Sequence, residues 1–205
     1  MKEEKTNEQL ILEAAEKEFI SKGYSGAKTT SIAQSAGVTH AMLHYYFRTK
    51  ENLFQKVFQE KVHLIGSSFE TVLDENLPFE AVIRSFVESH FDFVMQNGQL
   101  VNFVFNEVRA NKANSLILRD ILVAKMKNVF SRFEKMIEKE AAKGTIKSVK
   151  PIELLANIIT LNLSTSTFLL LVGDTGLISK SGYNKAFLKQ RKESNVQYIL
   201  HTLKP

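Results

Sequence analysis

The chain has 205 residues, of which 44% are hydrophobic, with a net charge of +5 and no cysteine. This composition excludes a disordered chain, disulfide bonds and thiolate chemistry, and it allows a small domain followed by a larger one. A basic charge balance agrees with binding to nucleic acid but does not establish it. The N-terminus MKEEKTNEQ is charged and has no apolar segment behind it. We therefore expect no signal peptide and a cytoplasmic protein.

The first predicted element is an amphipathic helix over Asn7–Lys22, which Gly23 and Gly26 bring to an end. Its apolar side consists of Ile11, Ala14, Ala15 and Phe19.

Two short helices follow, joined at Gly37. The first begins at Thr29 or Thr30, whose hydroxyls are able to cap a helix start. Glycine at the end of this helix suits the left-handed backbone that closes many helices. The second helix is predicted over His40–Phe47, with Thr39 as its cap, and it buries Leu43 together with Tyr46 or Phe47. Two short helices around a glycine turn are typical of a helix-turn-helix, whose second helix enters the major groove of DNA.

The charge pattern of this stretch differs from that of its surroundings. No Asp or Glu occurs from Phe19 to Phe47. Positive charge in and beside this stretch comes from Lys22, Lys28, Arg48 and Lys50. A carboxylate there would repel phosphate, so its absence favours contact with a polyanion.

These residues, taken with those around them, resemble the N-terminal domain of TetR/AcrR-type transcriptional regulators over about residues 7 to 60. The positions that carry the resemblance are Ile11, Leu12, Ala14, Ala15, Phe19, Gly23, Tyr24, Thr29, Thr30, Ile32, Ala33, Ala36, Gly37, Val38, Leu43, Tyr45, Tyr46, Phe47, Lys50, Glu51 and Leu53. Two positions depart from the family pattern, which usually has Tyr at His44 and a small residue near Met42.

The resemblance implies a set of DNA contacts. Thr29 and Lys50 match positions that contact phosphate. Other matched positions touch base edges or the nearby backbone, and they are Thr30, Thr39, His40, Ala41 and Met42. His44 and Tyr45 match positions that contact phosphate or bases.

Beyond residue 49 the pattern is helical to the end of the chain. Thr49 is expected to cap a fourth helix from Lys50 to about Ile65. Further helices are predicted over Phe79–Asn97, Gln99–Ala110, Ser115–Lys143, Pro151–Val172 and Asn184–Leu203, with an exposed loop over Gly173–Tyr183. The predicted fold is all-α: a three-helix DNA-binding domain (residues 1–49) precedes a larger helical ligand-binding and dimerisation domain (residues 50–205).

The segment Leu154–Gly173 has no charged residue and is as long as a membrane span. Its several Asn, Ser and Thr residues, without basic flanks, favour a buried helix, so no membrane partner is expected. Such a helix must be covered on nearly all sides, and a second subunit is an economical cover. The resemblance implies a homodimer in which the last two helices pair with their copies. The apolar candidates on the last helix are Phe187, Leu188, Val196, Ile199, Leu200 and Leu203.

Phenylalanines crowd the middle helices, interleaved with a few polar groups. Ligand pockets have this composition, and the resemblance implies an inducer cavity here. The predicted pocket residues are Phe86, His90, Phe103 and Asn106. The alternative is an ordinary aromatic core whose polar groups are hydrogen-bonded.

Taken together, the sequence predicts a homodimeric repressor that binds a palindromic DNA operator and is released by a small apolar or aromatic effector. No cofactor is implied, and no nucleophile–base pair, carboxylate dyad or phosphate loop indicates an enzyme. His40 and His44 have helical spacing for a metal, but neither cysteine nor a nearby carboxylate supports such a site. The alternative function is a helical protein-interaction module without sequence-specific DNA binding.

Overall fold

The computed structural model of the protein describes residues 5–69, 77–172 and 185–205. Every regular element in these ranges is an α-helix, which confirms the predicted all-α class. The helices are α1 (Asn7–Gly26), α2 (Thr29–Ala36), α3 (His40–Phe47), α4 (Lys50–Ser67), α5 (Phe79–Gln96), α6 (Gly98–Ala110), α7 (Lys112–Ala142), α8 (Pro151–Val172) and α9 (Lys185–Leu203). The loop predicted over Gly173–Tyr183 lies outside the described residues.

Local signals located the start of helix α1 but not its end. Thr6 and Gln9 form a reciprocal capping box at its start. At Gly23 the backbone turns to φ 66° and ψ 176°, so the regular helix ends there and a single further turn runs to Gly26. Here the sequence prediction was one turn short, because it counted the break as the end of the element.

The chain divides into two compact units. The N-terminal unit contains the residues up to Ile65 together with Gln99–Leu122. An aromatic cluster forms its core: the Phe19 and Phe54 rings meet edge-on at 5.2 Å, and Phe103 lies 6.1 Å from Phe54 and 6.2 Å from Phe58 between ring centroids. This core includes buried residues of α1 and α4. The short helices α2 and α3 therefore pack on a larger folded unit and need not be stable alone.

The C-terminal unit contains Gly66–Gly98 and Val123–Pro205. Helix α5 packs on both α8 and α9 within it, and Phe86, Phe91 and Phe133 are buried in its core. The division into units describes packing. The functional boundary expected between residues 49 and 50 stays a prediction.

A buried polar network fastens α5, α8 and α9 to one another. Asn162 donates from Nδ2 to the Val87 carbonyl and to His90 Nδ1, each at 3.0 Å, and it accepts from Asn195 Nδ2 at 2.9 Å. The His90 ring stacks on Phe69 with 5.3 Å between centroids. Burial lowers the pKa of His90 to about 4, so the ring is neutral and accepts through Nδ1 at ordinary pH.

Helix α8 is only partly covered by the described residues of its own chain. The window Pro151–Leu169 is the one stretch of the described residues that is long and apolar enough to cross a membrane, and only 28% of it is buried. Phe168 is 47% exposed, Leu171 68% and Ile152 57%. The side of α8 that carries Asn162 is buried, and the opposite side is not covered by the described residues of this chain. The expectation that a second subunit covers it stays a prediction.

Helix α9 also differs from the expectation. Val196, Ile199 and Leu203 are fully or almost fully buried in the core of their own unit. They are therefore not available as interface residues, whereas Phe187, Leu188 and Leu200 are partly exposed. Sequence periodicity identified the apolar face of the helix correctly but could not tell what this face packs against.

Candidate nucleic-acid interface

The turn between α2 and α3 has the geometry that a helix-turn-helix requires. Gly37 adopts φ 69° and ψ 25°, and its N–H bonds back to the carbonyls of Ala33 and Gln34. This is the left-handed closure for which glycine has no Cβ penalty. The turn brings the buried side of α2 against the buried Leu43 and Phe47 of α3.

Anchoring by Leu43 and Phe47 decides which side of α3 faces solvent. Phe47 is 8% exposed and Tyr46 is 39% exposed, so Phe47 is the core residue of the two candidates. Tyr45 is 75% exposed and Met42 37%. The other exposed residues of α3 that were predicted to contact DNA are His40, Ala41 and His44.

Two of the three expected threonine caps are made. Thr39 accepts from Met42 N at 3.2 Å at the start of α3, and Thr49 accepts from Asn52 N at 3.1 Å at the start of α4. Helix α2 differs, because its N-cap is Lys28 and no side chain caps it. Thr29 is instead the first helical residue.

The hydroxyl of Thr29 turns to His40, with Oγ1 3.0 Å from Nε2. It therefore ties the start of α2 to the start of α3. The first turn of α2 remains without a side-chain acceptor, an arrangement that a phosphate oxygen can complete. Thr30 is exposed beside it.

The two histidines of α3 are held by neighbours. Their rings meet edge-to-face with centroids 4.4 Å apart, and His44 Nδ1 lies 2.9 Å from the carbonyl oxygen of Arg48. Within the described residues no group of three or more His, Cys, Asp or Glu side chains is placed to hold a metal ion. The arrangement is one of ring packing and single hydrogen bonds.

Arg48 ends α3 in a conformation that the sequence did not reveal. It has φ 63° and ψ −56°, and among the described residues it is the one non-glycine with positive φ. Thr49 N bonds to the Phe47 carbonyl at 2.6 Å across it, which makes this a tight γ-turn. Arginine carries no signal for such a turn. The conformation sends the Arg48 carbonyl towards His44 and starts α4 immediately afterwards.

Lys50, the predicted phosphate contact on α4, is positioned by an aromatic ring. Its Nζ lies 4.6 Å from the centroid of the Tyr24 ring, a cation–π distance. The Tyr24 hydroxyl donates to Glu51, which together with burial raises the pKa of Tyr24. The Tyr24 N–H donates to Glu107 Oε1 at 2.8 Å. The sequence did not predict that Tyr24 would position Lys50, although the family pattern includes both residues.

The four predicted pocket residues fall in different units. Phe86 and His90 are buried in the C-terminal unit, where Phe86 meets Phe133 edge-on at 5.1 Å. Phe103 and Asn106 belong to the N-terminal unit and line a cleft of about 540 Å³ there, beside Lys22 and Gly23 of α1. Their assignment to one effector pocket stays a prediction.

Comparison with known proteins matches the N-terminal part of the chain to one family. The pattern that defines the family described as "Bacterial regulatory proteins, tetR family" matches residues 11–57, which span α1 to the middle of α4. The uncharacterized HTH-type transcriptional regulator YhgD of Bacillus subtilis is 24% identical over 142 residues, covering 69% of this chain and 73% of that protein. The HTH-type transcriptional activator FasR of Mycolicibacterium smegmatis is 30% identical over 95 residues, covering 46% of this chain and 43% of FasR.

Solved structures share the whole fold. A structure named as a fatty acid metabolism regulator of Clostridium perfringens superposes with a TM-score of 0.67 at 20% identity, covering 96% of this chain and 99% of that one. These relatives are regulators rather than enzymes. The family pattern at the helix-turn-helix and the regulator relatives support a TetR-type DNA-binding transcriptional regulator. The solved structure shows that the whole chain shares a fold with such a protein.

Proposed function

We propose that the protein is a homodimeric repressor that binds a palindromic operator through two copies of α3 and is released by a small apolar effector. The observation that carries the DNA part is the exposed side of α3, where Tyr45, Met42 and two imidazoles face solvent in a stretch without carboxylates. Aromatic, imidazole and hydroxyl groups of this kind reach base edges and phosphates in the major groove.

A dimer gives this small reading surface enough length. One recognition helix contacts only a few base pairs, whereas two related by a dyad read two half-sites of an inverted repeat. The open side of α8 supports this assembly. Together with Phe187 and Arg191 of α9, it forms an apolar groove of about 730 Å³ that includes Phe168 and Leu171. A second copy of the same face would cover it.

The effector is proposed to be apolar. Phe86 lies among aromatic side chains of the C-terminal unit, and neutral His90 is the polar group beside it. Phe103 and Asn106, the other two residues predicted to bind a ligand, line the separate cleft of the N-terminal unit. The relative from Clostridium perfringens is named for fatty acid metabolism, so fatty acids are the first compounds to test. A ligand that binds more tightly to the conformer with weak DNA affinity shifts the population towards that conformer. It therefore lowers the affinity for DNA by the same factor by which DNA lowers the affinity for the ligand.

The site of action follows from the partner: the protein acts in the cytoplasm, where the operator lies. Repression is the proposed sign of regulation. FasR is an activator, so the sign is tested by a reporter gene placed behind the operator. Higher expression on deletion of the regulator gene supports repression, and lower expression contradicts it.

The decisive experiment is selection of bound sequences from random duplex DNA by the purified full-length protein at low ionic strength. We expect an inverted repeat. Bound DNA is then challenged with a series of fatty acids of increasing chain length, and we expect release by at least one of them. Failure to enrich any sequence contradicts the proposal that the protein binds specific DNA. Enrichment of a motif without dyad symmetry contradicts binding as a symmetric dimer. A complex that is not released by a fatty acid of any chain length contradicts the proposed effector class.

A further inference from the structure

The side chain of His44 has a tautomer that the structure determines. A backbone carbonyl only accepts hydrogen bonds, so the 2.9 Å contact between His44 Nδ1 and the Arg48 oxygen requires a proton on Nδ1. In a neutral imidazole the other nitrogen is then an acceptor. Among the described residues, no group bonds to His44 Nε2, and the side chain is exposed.

We propose that His44 is a specificity-determining residue that accepts, through Nε2, a hydrogen bond from the exocyclic amino group of an operator base. In the major groove this donor is N6 of adenine or N4 of cytosine, whereas guanine and thymine present acceptors. The inference rests on the proposed function, because it needs α3 in the major groove. It adds which base chemistry one side chain reads.

Several contacts hold the imidazole for this role. The Arg48 carbonyl fixes one edge of the ring, and His40 packs against its face or edge at 4.4 Å between centroids. His40 is itself tied to Thr29 on α2. A ring held on two sides loses less conformational freedom on binding, which favours a directional contact over a diffuse one. The strained Arg48 turn is what brings the carbonyl into place.

The test is selection from random DNA at pH 8 with three full-length proteins: wild type, His44→Phe and the matched control His63→Phe. His63 is also exposed but lies on α4. We expect wild type and the control to select adenine or cytosine at one pair of dyad-related positions. His44→Phe should lose the preference at those positions alone. A neutral hydrogen bond predicts roughly fivefold weaker binding per half-site, or about 25-fold for the dimer.

A further variant separates base reading from a structural role. His44→Gln restores a side chain that pairs with adenine, so it should recover a preference for adenine. Thermal unfolding of each variant checks that the fold is retained.

The outcomes distinguish the two levels of the proposal. If wild type selects an operator and His44→Phe selects the same one with the same base preferences, His44 does not read a base and this inference fails alone. The same holds if the variant weakens all sequences equally, since that is the behaviour of a phosphate contact. If no protein selects any sequence, the proposed function fails as well.

Discussion

Helices α3 and α8 both expose large side chains to solvent, but the chemistry of those side chains differs. On α3 they are tyrosine, methionine and histidine, set in a stretch without carboxylates. On α8 they are Phe168 and Leu171, in a segment without charge, and Ile152 at the start of the helix beside Glu153. Polar tips and flanking cations suit a hydrated polyanion, whereas bare hydrocarbon suits another bare hydrocarbon face. Exposure alone therefore does not identify a partner; the polar atoms that accompany it do.

The largest effect is expected from substitutions that remove the proposed DNA contacts on and beside α3. Replacing Tyr45 and Lys50 together by alanine should reduce operator affinity roughly 1,000-fold, because about 1 kcal/mol is lost at each of two contacts in each of two half-sites. Fluorescence anisotropy with labelled operator measures this. The fold should survive, since Tyr45 is largely exposed and Lys50 contributes only a cation–π contact.

The matched control for this pair is Phe105→Ala with Lys56→Ala. Phe105 is half-exposed on α6, and Lys56 is exposed on α4 with a loose ion pair to Glu60 at 3.6 Å. This double variant removes a ring and a cation of the same kinds elsewhere in the N-terminal unit. Equal losses of affinity in the two double variants would show that α3 is not the reading surface.

The second test changes the exposed side of α8. Phe168→Glu removes a ring from the apolar groove and places a carboxylate there, which a second copy would bury even though Arg191 also lines the groove. Burying such a charge costs several kcal/mol, so we expect dimerisation to weaken roughly 100-fold or more. Operator affinity should fall with it. Sedimentation velocity at micromolar concentration measures the assembly.

Val123→Glu is the control for charge itself, because Val123 is equally apolar and well exposed, on α7. It should leave the dimer unchanged. If the Phe168→Glu protein sediments as the wild type does, α8 is not part of a dimer interface. Its exposed apolar side chains are then not covered by a second copy of the chain.

The buried side of α8 can be tested separately, through the dependence of protein stability on pH. His90, held by Asn162, has a pKa of about 4 in the folded protein, below its ordinary value near 6.5. As pH falls below 6.5, the unfolded chain binds a proton that the folded one does not, so stability declines until about pH 4. The full effect is about 3 kcal/mol.

Chemical denaturation of wild type and His90→Gln across pH 7 to 4 tests this. The variant should be less stable at pH 7 and should lose less stability on acidification, so the two curves converge. His63→Gln, which changes an exposed histidine, should run parallel to wild type. Parallel curves for His90→Gln would mean that the buried ring accepts a proton without cost.

Local chemistry explains how much of this molecule could be predicted from its sequence. The turn at Gly37, the caps at Thr39 and Thr49 and the bounds of α3 depend on residues within a few positions of one another, and all were predicted. The position of Asn162 at the centre of a network, and the burial of Val196 and Ile199 inside their own unit, depend on distant helices. Periodicity reports that a helix has an apolar face but not which surface covers it.

The end of α3 provides the smallest and most local test. Gly37 and Arg48 both have positive φ, at 69° and 63°. Gly37 has no Cβ and adopts this conformation without strain, whereas the Cβ of Arg48 is crowded by the backbone. Arg48→Gly should therefore stabilise the protein by about 1 kcal/mol, the relief of strain exceeding the entropy that glycine adds to the unfolded chain. Arg48→Ala is the matched control, because it removes the same charge and keeps the Cβ. If both variants gain equally in thermal denaturation, the benefit comes from charge. If only the glycine variant gains, the protein keeps a strained residue at this position, which is expected where the carbonyl it directs to His44 serves DNA recognition.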